Sequence, residues 1–338
     1  MKLSLSYVAT FLAIPIIGFA EIPEGPVKIF ILAGQSNMEG HGKVEMGLNP
    51  EYDENDKSSK REIKGGLAGL RHLATSPGTS KKYGHFLGED GEWIERDDVW
   101  VLTTTSGKKS GRLSVGFGKG SWFGPELQFG HRVGDLVDEP VLLVKTAWGG
   151  HSLGINFRPP SSGKPNYEKQ RFNEEDLGAS YREMVKIVKE TRANLGAHFP
   201  ELEGRETEII GFGWHQGWND AGSAEMVGEY AENMKNLIRD LRKDLDAPEL
   251  PVVIANTGMI GMTGKGGLRE QLCEIQLKLG DAEANPEFAG SITSVETRPF
   301  KRSKEESPSG FGYHWNHNAE SHFLVGDAMG QAMVELLK

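Results

Sequence analysis

The sequence has one cysteine, no excess of basic residues and a single long apolar run. Cys273 is alone among 338 residues, so no disulfide can form within the chain. Acidic residues outnumber basic ones by 48 to 38, and the net charge of −10 argues against a nucleic-acid partner, because no surplus of cations exists to neutralise phosphates. A mean hydropathy of −0.44 excludes a polytopic membrane protein. The chain is long enough to bury a large core.

Residues 1–20 carry the apolar run and have the pattern of a secretory signal peptide. Lys2 gives a positive start, an apolar stretch follows, and cleavage is expected after Ala20. The alternative is a single membrane anchor, but the stretch is short for a span of about 20 residues and Pro15 interrupts it. We therefore expect a secreted or periplasmic protein with no stable membrane insertion after cleavage.

Residues 21–338 are expected to form one domain, in which short β-branched runs alternate with longer helical patterns. Strands are predicted at Val27–Ala33, Val141–Ala147, Glu208–Trp214, Pro251–Asn256 and Ser291–Val295. Helices are predicted at Gly124–Val137, Ala179–Leu195, Ala224–Leu245, Leu268–Leu279 and Asn318–Leu337. This alternation predicts a three-layer α/β/α sandwich around a central parallel sheet of about five strands. The segment at about 40–121 breaks the rhythm and is expected to be an elaboration, with Val99–Thr103 as an extra strand.

Glycine is abundant, at 44 of 338 residues, or about 13% against roughly 7% on average. Neither a Gly-X-Y period nor a low-complexity tract accounts for the excess. The glycines must therefore serve turns and close backbone approaches. Several fall at the ends of predicted strands, namely Gly34, Gly149, Gly150 and Gly217.

Four short motifs place polar residues beside these glycines. They are Gly34-Gln35-Ser36-Asn37-Met38, Trp148-Gly149-Gly150-His151-Ser152, Gly217-Trp218-Asn219-Asp220 and Gly312-Tyr313-His314-Trp315-Asn316. The first three follow successive strands, whose carboxyl ends meet at one edge of a parallel sheet. Each motif alone fits a turn or a helix cap. Together they offer a nucleophile (Ser36), two oxyanion donors (Gly150 and Asn219) and a general base (His314).

The order Ser, Gly, Asn, His resembles the SGNH hydrolase superfamily. The Gly34-Gln35-Ser36-Asn37 block narrows the resemblance to the sialate O-acetylesterase-like group, which includes carbohydrate esterase family 6, and the likeness runs from about Val27 to the C-terminus. The resemblance implies an SGNH-type, flavodoxin-like fold and a serine esterase that removes O-acetyl groups from carbohydrate. It implies Ser36 as nucleophile and His314 as base. The oxyanion hole would comprise Ser36, Gly150 and Asn219, with no metal and no cofactor.

One departure from the superfamily concerns the catalytic acid. The superfamily usually has Asp three residues before the histidine, and this chain has Phe311 there. Glu296, at the end of the fifth predicted strand, is the candidate replacement, and Glu306 is a weaker one. Alternatively, a backbone carbonyl orients the imidazole and the site works as a Ser-His dyad.

The substrate is expected to be an acetylated carbohydrate, and the motifs supply residues that could contact it. We expect contacts from Gln35, Trp148, Gln216 and Trp218. Three more tryptophans lie in or beside the motifs, at Trp122, Trp214 and Trp315. Tryptophan faces stack on sugar rings, but large aromatics are equally ordinary core residues.

Three other interpretations remain open at the level of sequence. A carbohydrate-binding protein that has lost catalysis is favoured by the missing acid before His314. A metal site could form from His314, His317 and His322, whose spacings of three and five suit ligands. A lipase or thioesterase would use the same fold, because fold does not determine substrate.

Overall fold

A computed structural model of the protein describes residues 22–104, 109–169 and 171–338, so the expected signal peptide at 1–20 lies outside the described residues. The strands are β1 Val27–Gly34, β2 Met46–Leu48, β3 Glu62–Lys64, β4 Val99–Thr103, β5 Ser110–Arg112, β6 Val141–Ala147, β7 Thr207–His215, β8 Val252–Ala255 and β9 Ile292–Val295. The α-helices are α1 Ser36–Glu39, α2 Leu70–Thr75, α3 Ser80–Tyr83, α4 Glu126–Gly134, α5 Ala179–Ala193, α6 Ala224–Asp244, α7 Gly267–Leu279 and α8 Ala319–Leu336. None of the helices within these ranges is long and apolar enough to cross a membrane.

The central sheet has seven strands in the order β5-β4-β6-β1-β7-β8-β9. All neighbours are parallel except β4 and β5. The predicted parallel α/β architecture is confirmed, with two strands more than expected. The strand at 99–103 is a sixth parallel member, and the three-residue β5 adds an antiparallel edge.

The strand β1 lies at the centre of the sheet and packs against helices on both faces. Val27, Ile29 and Ile31 join a core with α5, α6 and α7. Phe30 and Leu32 join a second core with α4 and α8. Successive side chains of a strand point to opposite faces, so a strand buried on both sides needs an unbroken apolar run. All five side chains have no exposed surface, and each contributes about 1.5–3 kcal/mol by leaving water.

The segment at 40–121 supplies more than a surface loop. Its strands β2 and β3 form a separate antiparallel ribbon, whereas β4 and β5 extend the main sheet. Tyr83 connects the segment to α8, because its ring packs edge-on against Phe323 at 4.7 Å between centroids and its hydroxyl donates to Glu320 at 2.7 Å. The segment is therefore fixed to the helix that follows the His314 motif.

Candidate active site

Ser36 begins α1 immediately after the central strand β1. The chain turns there because Gly34 adopts φ +157°, and a Cβ at this position would overlap the carbonyl oxygen of His215 on β7. As the first residue of a helix, Ser36 has a backbone N–H without an intrahelical acceptor. Ser36 is thus presented at the carboxyl edge of the sheet with its hydroxyl and its N–H in the same turn.

Gln35 connects the nucleophile turn to the strand end that carries Asn219. Its side-chain oxygen accepts hydrogen bonds from the N–H of Gly217 at 3.1 Å and the N–H of Asn219 at 3.3 Å. Gln216 also donates to it, at 3.4 Å, and donates further to the carbonyl of His151 at 3.1 Å. Gln35 and Gln216 are 2% and 1% exposed. The Gln35 oxygen and the Gln216 amide nitrogen are therefore used in hydrogen bonds within the protein, and the expected contact of these residues with substrate stays a prediction.

The predicted oxyanion donors Gly150 and Asn219 lie in direct contact. The Asn219 amide donates one hydrogen to the carbonyl of Gly150 and keeps a second hydrogen available. Gly150 has φ +79°, a conformation that favours glycine. Among the described residues, its N–H has no hydrogen-bond acceptor. The geometry therefore leaves donors of both residues for a ligand.

Asp220 holds the loop after β6 against the loop after β7. Its buried carboxylate accepts from the N–H of Leu153 at 3.0 Å and of Gly154 at 2.8 Å, and from the Gln216 amide. Burial raises the pKa of Asp220 to about 6 despite these donors. The sequence motif predicts no more than a turn or a helix cap here, whereas Asp220 fixes the relative positions of the Gly150 and Asn219 loops.

His314 belongs to a group of three stacked imidazoles, His41, His314 and His317, which we call the histidine cluster. The rings of His41 and His314 lie 3.8 Å apart, and His317 lies 5.7 Å from His41 and 5.9 Å from His314, all within 16° of parallel. Burial, followed by the neighbouring His41 and His317, lowers the pKa of His314 to about 3. Burial also lowers the pKa of His41, against the opposing effect of Glu39. His314 is therefore neutral at pH 7, as a general base must be.

A left-handed turn places two of these histidines together. Residues 314–317 all have positive φ, between 52° and 61°, although none is glycine. The Asn316 side chain supports the turn by accepting from the N–H of Gly312 at 2.9 Å and donating to the carbonyl of Arg302 at 3.2 Å. The N–H of Lys43 also donates to the carbonyl of His317. The turn thereby packs against α1, which begins with Ser36.

The carboxylates that lie near the histidine cluster are Glu39, beside His41, and Glu62, beside His317, whereas the expected Glu296 pairs elsewhere. A Glu39 oxygen lies 3.8 Å from His41 Nε2, and its other oxygen accepts from the N–H of Gly149 at 3.0 Å. Burial opposes ionisation of Glu39, but its contacts with His41 and Gly149 lower its pKa below the ordinary value. Glu296 instead pairs with Arg298 and accepts from Asn256 at 2.9 Å.

Glu306, the weaker candidate for the acid, makes its hydrogen bond elsewhere, and Phe311 occupies the sequence position at which the superfamily usually has Asp. Glu306 accepts from the N–H of Ser303, in a turn of its own. Phe311 is 56% exposed and stacks on Tyr313, which is 41% exposed, at 5.4 Å between ring centroids. Tyr313 in turn packs edge-on against His314 at 4.7 Å. An exposed aromatic pair therefore lies beside the base where the superfamily usually has an acid.

Sequence reasoning missed Glu39 and His41, although both follow Ser36 within five residues. The signal available was their proximity to the nucleophile motif. Lys145 was missed as well, because a lysine in an apolar strand gives no indication of its partners. It is fully buried, and its Nζ lies 2.9 Å from Glu126, 2.9 Å from the Glu39 carbonyl and 2.8 Å from the Phe117 carbonyl. Lys145 thus fixes the C-terminal end of α1 through the Glu39 carbonyl.

The tryptophans of the motifs divide into core and rim. Trp214 and Trp315 are buried, at 0% and 2% exposure, which corrects any expectation that they contact sugar. Trp148 and Trp218 are half-buried, and the Arg269 guanidinium covers one face of Trp218 at 3.9 Å. Trp122 is half-buried, and its ring centroid lies 5.8 Å from that of His41 and 5.4 Å from that of His317. This last tryptophan lies in the wall of the site.

Comparison with known proteins gives a consistent family assignment. The family model described as carbohydrate esterase, sialic acid-specific acetylesterase, matches residues 26–334. A probable carbohydrate esterase of Arabidopsis thaliana is 27% identical over 264 residues, covering 76% of this chain and 77% of the relative.

Solved structures share the fold. An Arabidopsis thaliana protein superimposes with a TM-score of 0.54 at 21% identity, covering 91% of this chain and 98% of that one. A carbohydrate acetylesterase from Xanthomonas citri gives 0.51 at 15% identity, covering 90% and 55%. NanS gives 0.50 at 12% identity, covering 93% and 99%. With its family model matched over nearly the whole length, the chain belongs to the sialic acid-specific acetylesterase family of carbohydrate esterases.

Proposed function

We propose that this chain is an exported serine esterase that removes O-acetyl groups from carbohydrate by a Ser36–His314 mechanism. The observation that carries the proposal is the meeting of four parts at one edge of the sheet: α1 with Ser36, the Gly149–Gly150 turn, Asn219 and the His314 turn. Family membership supports esterase chemistry. The signal-like pattern of residues 1–20 supports export to a secreted or periplasmic location.

Acylation begins when His314 accepts the proton of the Ser36 hydroxyl and the oxygen bonds to the acetyl carbonyl carbon. The negative oxygen that forms accepts hydrogen bonds from the N–H groups of Ser36 and Gly150 and from the remaining amide hydrogen of Asn219. Collapse of this intermediate breaks the bond to the sugar oxygen. His314 returns its proton to that oxygen, and the deacetylated carbohydrate departs.

Deacylation repeats the same steps with water in place of Ser36. His314 takes a proton from water, whose oxygen attacks the acetyl-serine carbonyl, and the same donors hold the oxyanion. The intermediate expels the Ser36 oxygen, which regains a proton from His314. Acetate leaves, and no cofactor or metal takes part in this cycle.

Glu39 acts on the proposed base, His314, electrostatically and without direct contact. Its carboxylate contacts His41, and the ring of His41 stacks on His314. The Glu39 charge raises the pKa of His314 and so favours the imidazolium that forms during attack, against the larger effect of burial. We therefore assign Glu39 and His41 as positioning residues in a site that lacks the superfamily acid.

The exposed aromatic pair Phe311 and Tyr313, which we call the aromatic rim, suits a sugar ring. Phe311 and Tyr313 expose apolar faces beside His314, and aromatic faces stack well on the apolar faces of sugars. A small ester would reach Ser36 without contacting this pair. The rim therefore favours acetyl groups carried on a larger glycan.

The decisive experiment is acetate release from a panel of acetylated glycans, including sialic acids and polysaccharides. We expect release by the wild type, none above background by Ser36→Ala, and unchanged release by Ser58→Ala, which alters an exposed serine between β2 and β3. Folding is checked by circular dichroism. A folded wild type that binds glycans but releases no acetate would overturn the proposal and indicate a carbohydrate-binding protein.

A further inference from the structure

The histidine cluster holds ring nitrogens that the proposed esterase cycle does not use. His41 and His317 are 7% and 8% exposed. Neither nitrogen of His41, and not Nδ1 of His317, has a hydrogen-bond partner among the described residues. A buried polar atom left without a partner costs about 1–3 kcal/mol. Nε2 of His41 and Nδ1 of His317 each lie near a carboxylate, at 3.8 and 3.9 Å, so the nitrogens left for a ligand are Nδ1 of His41 and Nε2 of His317.

The arrangement of these nitrogens suits a single cation. One ligand atom from each of His41, His314 and His317 lies within 4.8 Å of the others. We propose that the histidine cluster binds one zinc-like divalent transition metal ion, and that this ion inhibits the esterase. This site differs from the one that sequence spacing suggested. His322 is fully buried outside the trio, and His41 takes its place.

The chemistry of the donors selects the class of metal. Neutral imidazole suits Zn²⁺, Cu²⁺ and Ni²⁺, whereas Mg²⁺ and Ca²⁺ prefer oxygen ligands. Zn–N bonds of about 2.0–2.1 Å in a tetrahedral site bring nitrogens to about 3.4 Å from one another. The stacked rings must therefore turn about their side-chain torsions to point at one ion. Three protein ligands leave a fourth position for water.

Two histidines of the cluster, His41 and His317, each have a carboxylate nearby. Glu39 lies 3.8 Å from His41 Nε2, and Glu62 lies 3.9 Å from His317 Nδ1. Such outer carboxylates orient ligating histidines and offset the charge of the ion. Lys43 lies 3.1 Å from Glu62 and over the Trp122 ring, and so holds Glu62 in place. The cluster is thus built with supporting groups on both sides.

Inhibition is expected because the same imidazole, that of His314, would be both a metal ligand and the general base. This part of the proposal rests on the proposed function. A nitrogen of His314 that coordinates a cation can no longer accept the Ser36 proton. Metal binding and acetate release would then be mutually exclusive. Removal of the ion would restore the free base without any covalent change.

Two measurements test the proposal separately from esterase activity. Zinc is titrated into metal-free Ser36→Ala protein by calorimetry, and Co²⁺ absorption reports the coordination. We expect one ion per chain, binding at least tenfold weaker in Ser36→Ala/His317→Gln, and about tenfold weaker in Ser36→Ala/Glu62→Gln. The matched control, Ser36→Ala/His198→Gln, alters an exposed histidine and should bind as Ser36→Ala does. If His317→Gln disturbs the fold, His41→Gln serves the same purpose.

The activity arm uses the otherwise unmodified chain. Zinc should inhibit acetate release by the wild type and by His198→Gln, a chelator should reverse this, and His317→Gln should resist inhibition at least tenfold better. Zinc binding that is absent, or that is equal in the His317→Gln and His198→Gln proteins, would overturn the metal site. Binding without any esterase activity would leave the site standing and overturn the proposed function instead.

Discussion

Two groups of buried polar side chains contact α1 or the residues next to it, and they differ in how fully they are hydrogen-bonded. Lys145 has three oxygens within 2.9 Å of its ammonium group, and Glu126 supplies the opposite charge. His41 and His317 are almost as deeply buried, but both ring nitrogens of His41 and Nδ1 of His317 lack hydrogen-bond partners among the described residues. The ammonium group of Lys145 is therefore fully used within the protein, whereas the histidine cluster retains nitrogens that could bind a ligand.

The contrast distinguishes residues that stabilise the site from residues that are proposed to take part in its chemistry. Satisfied groups such as Lys145, Gln35 and Asp220 hold the strand ends in register, and their loss should lower stability. Donors and acceptors without a protein partner, in Gly150, Asn219 and the histidine cluster, are those to which the proposed mechanism and the proposed metal site assign roles. Their loss should change rate, pH dependence or binding with little effect on folding. Four predictions test this division, from the largest expected effect to the smallest.

Lys145→Met should lower the free energy of unfolding by about 3–5 kcal/mol, because it leaves Glu126 buried without its counter-charge. Urea unfolding followed by tryptophan fluorescence measures the change. The matched control is Lys28→Met, which removes a partly exposed ion pair with Glu208 and should cost about 1 kcal/mol or less. Equal losses in the two variants would contradict a structural role for the buried lysine.

Asn219→Ala should reduce kcat for acetate release by about 10²–10³, the usual effect of losing one oxyanion donor. Its free energy of unfolding should stay within about 1 kcal/mol of the wild type, because the side chain is exposed and its amide hydrogen-bonds to the Gly150 carbonyl on the neighbouring loop. Steady-state kinetics and urea unfolding are measured on the same preparation. Near wild-type turnover would remove Asn219 from the oxyanion hole.

His41→Gln should move the acid limb of the kcat/KM profile to higher pH. The folded enzyme keeps His314 unprotonated down to its pKa of about 3, so activity should be flat from neutral pH to well below 6.5. Removing His41 takes away a like charge and admits water, and the pKa of His314 then rises toward its ordinary value. A profile identical to that of the wild type would show that His41 does not influence the base.

Phe311→Ala should raise KM for an acetylated polysaccharide by about two- to tenfold with little change in kcat, as expected for one lost stacking contact. Hydrolysis of a small aryl acetate should be unaffected, because that substrate does not reach the rim. The comparison of the two substrates within one variant is its own control. An equal change for both would indicate that Phe311 supports the site instead of contacting sugar.

The sequence was sufficient to locate the edge of the sheet where the site lies. Apolar β-branched runs such as Val27–Gly34 indicate strands buried on both faces, and parallel connection brings their carboxyl ends together. The positions of Ser36, Gly150 and Asn219 follow from that rule, whereas His314 lies in the turn before α8. Strand ends differ from prediction by at most one residue, since hydrogen bonds at the ends of strands depend on neighbours distant in the chain.

The contacts of individual side chains were beyond prediction, for identifiable reasons. Gln35 is expected to contact substrate, yet its side-chain oxygen accepts from the N–H of Gly217, which lies 182 residues away. His41 reaches His314 only because residues 314–317 take a left-handed path that no propensity favours. Glu296 follows a strand end as expected, but the local Arg298 captures its carboxylate.

The left-handed turn at 314–317 sets a limit on how stable this protein can be. Left-handed backbone costs roughly 1–2 kcal/mol for each residue other than glycine, so the four residues together cost on the order of 4 kcal/mol or more. That is a sizeable part of the 5–15 kcal/mol by which domains are usually stable. Selection for heat resistance alone would replace these residues with glycine or straighten the chain. Thermostable variants of this protein should therefore be sought by changing other segments, because relaxing this one would move His314 away from α1.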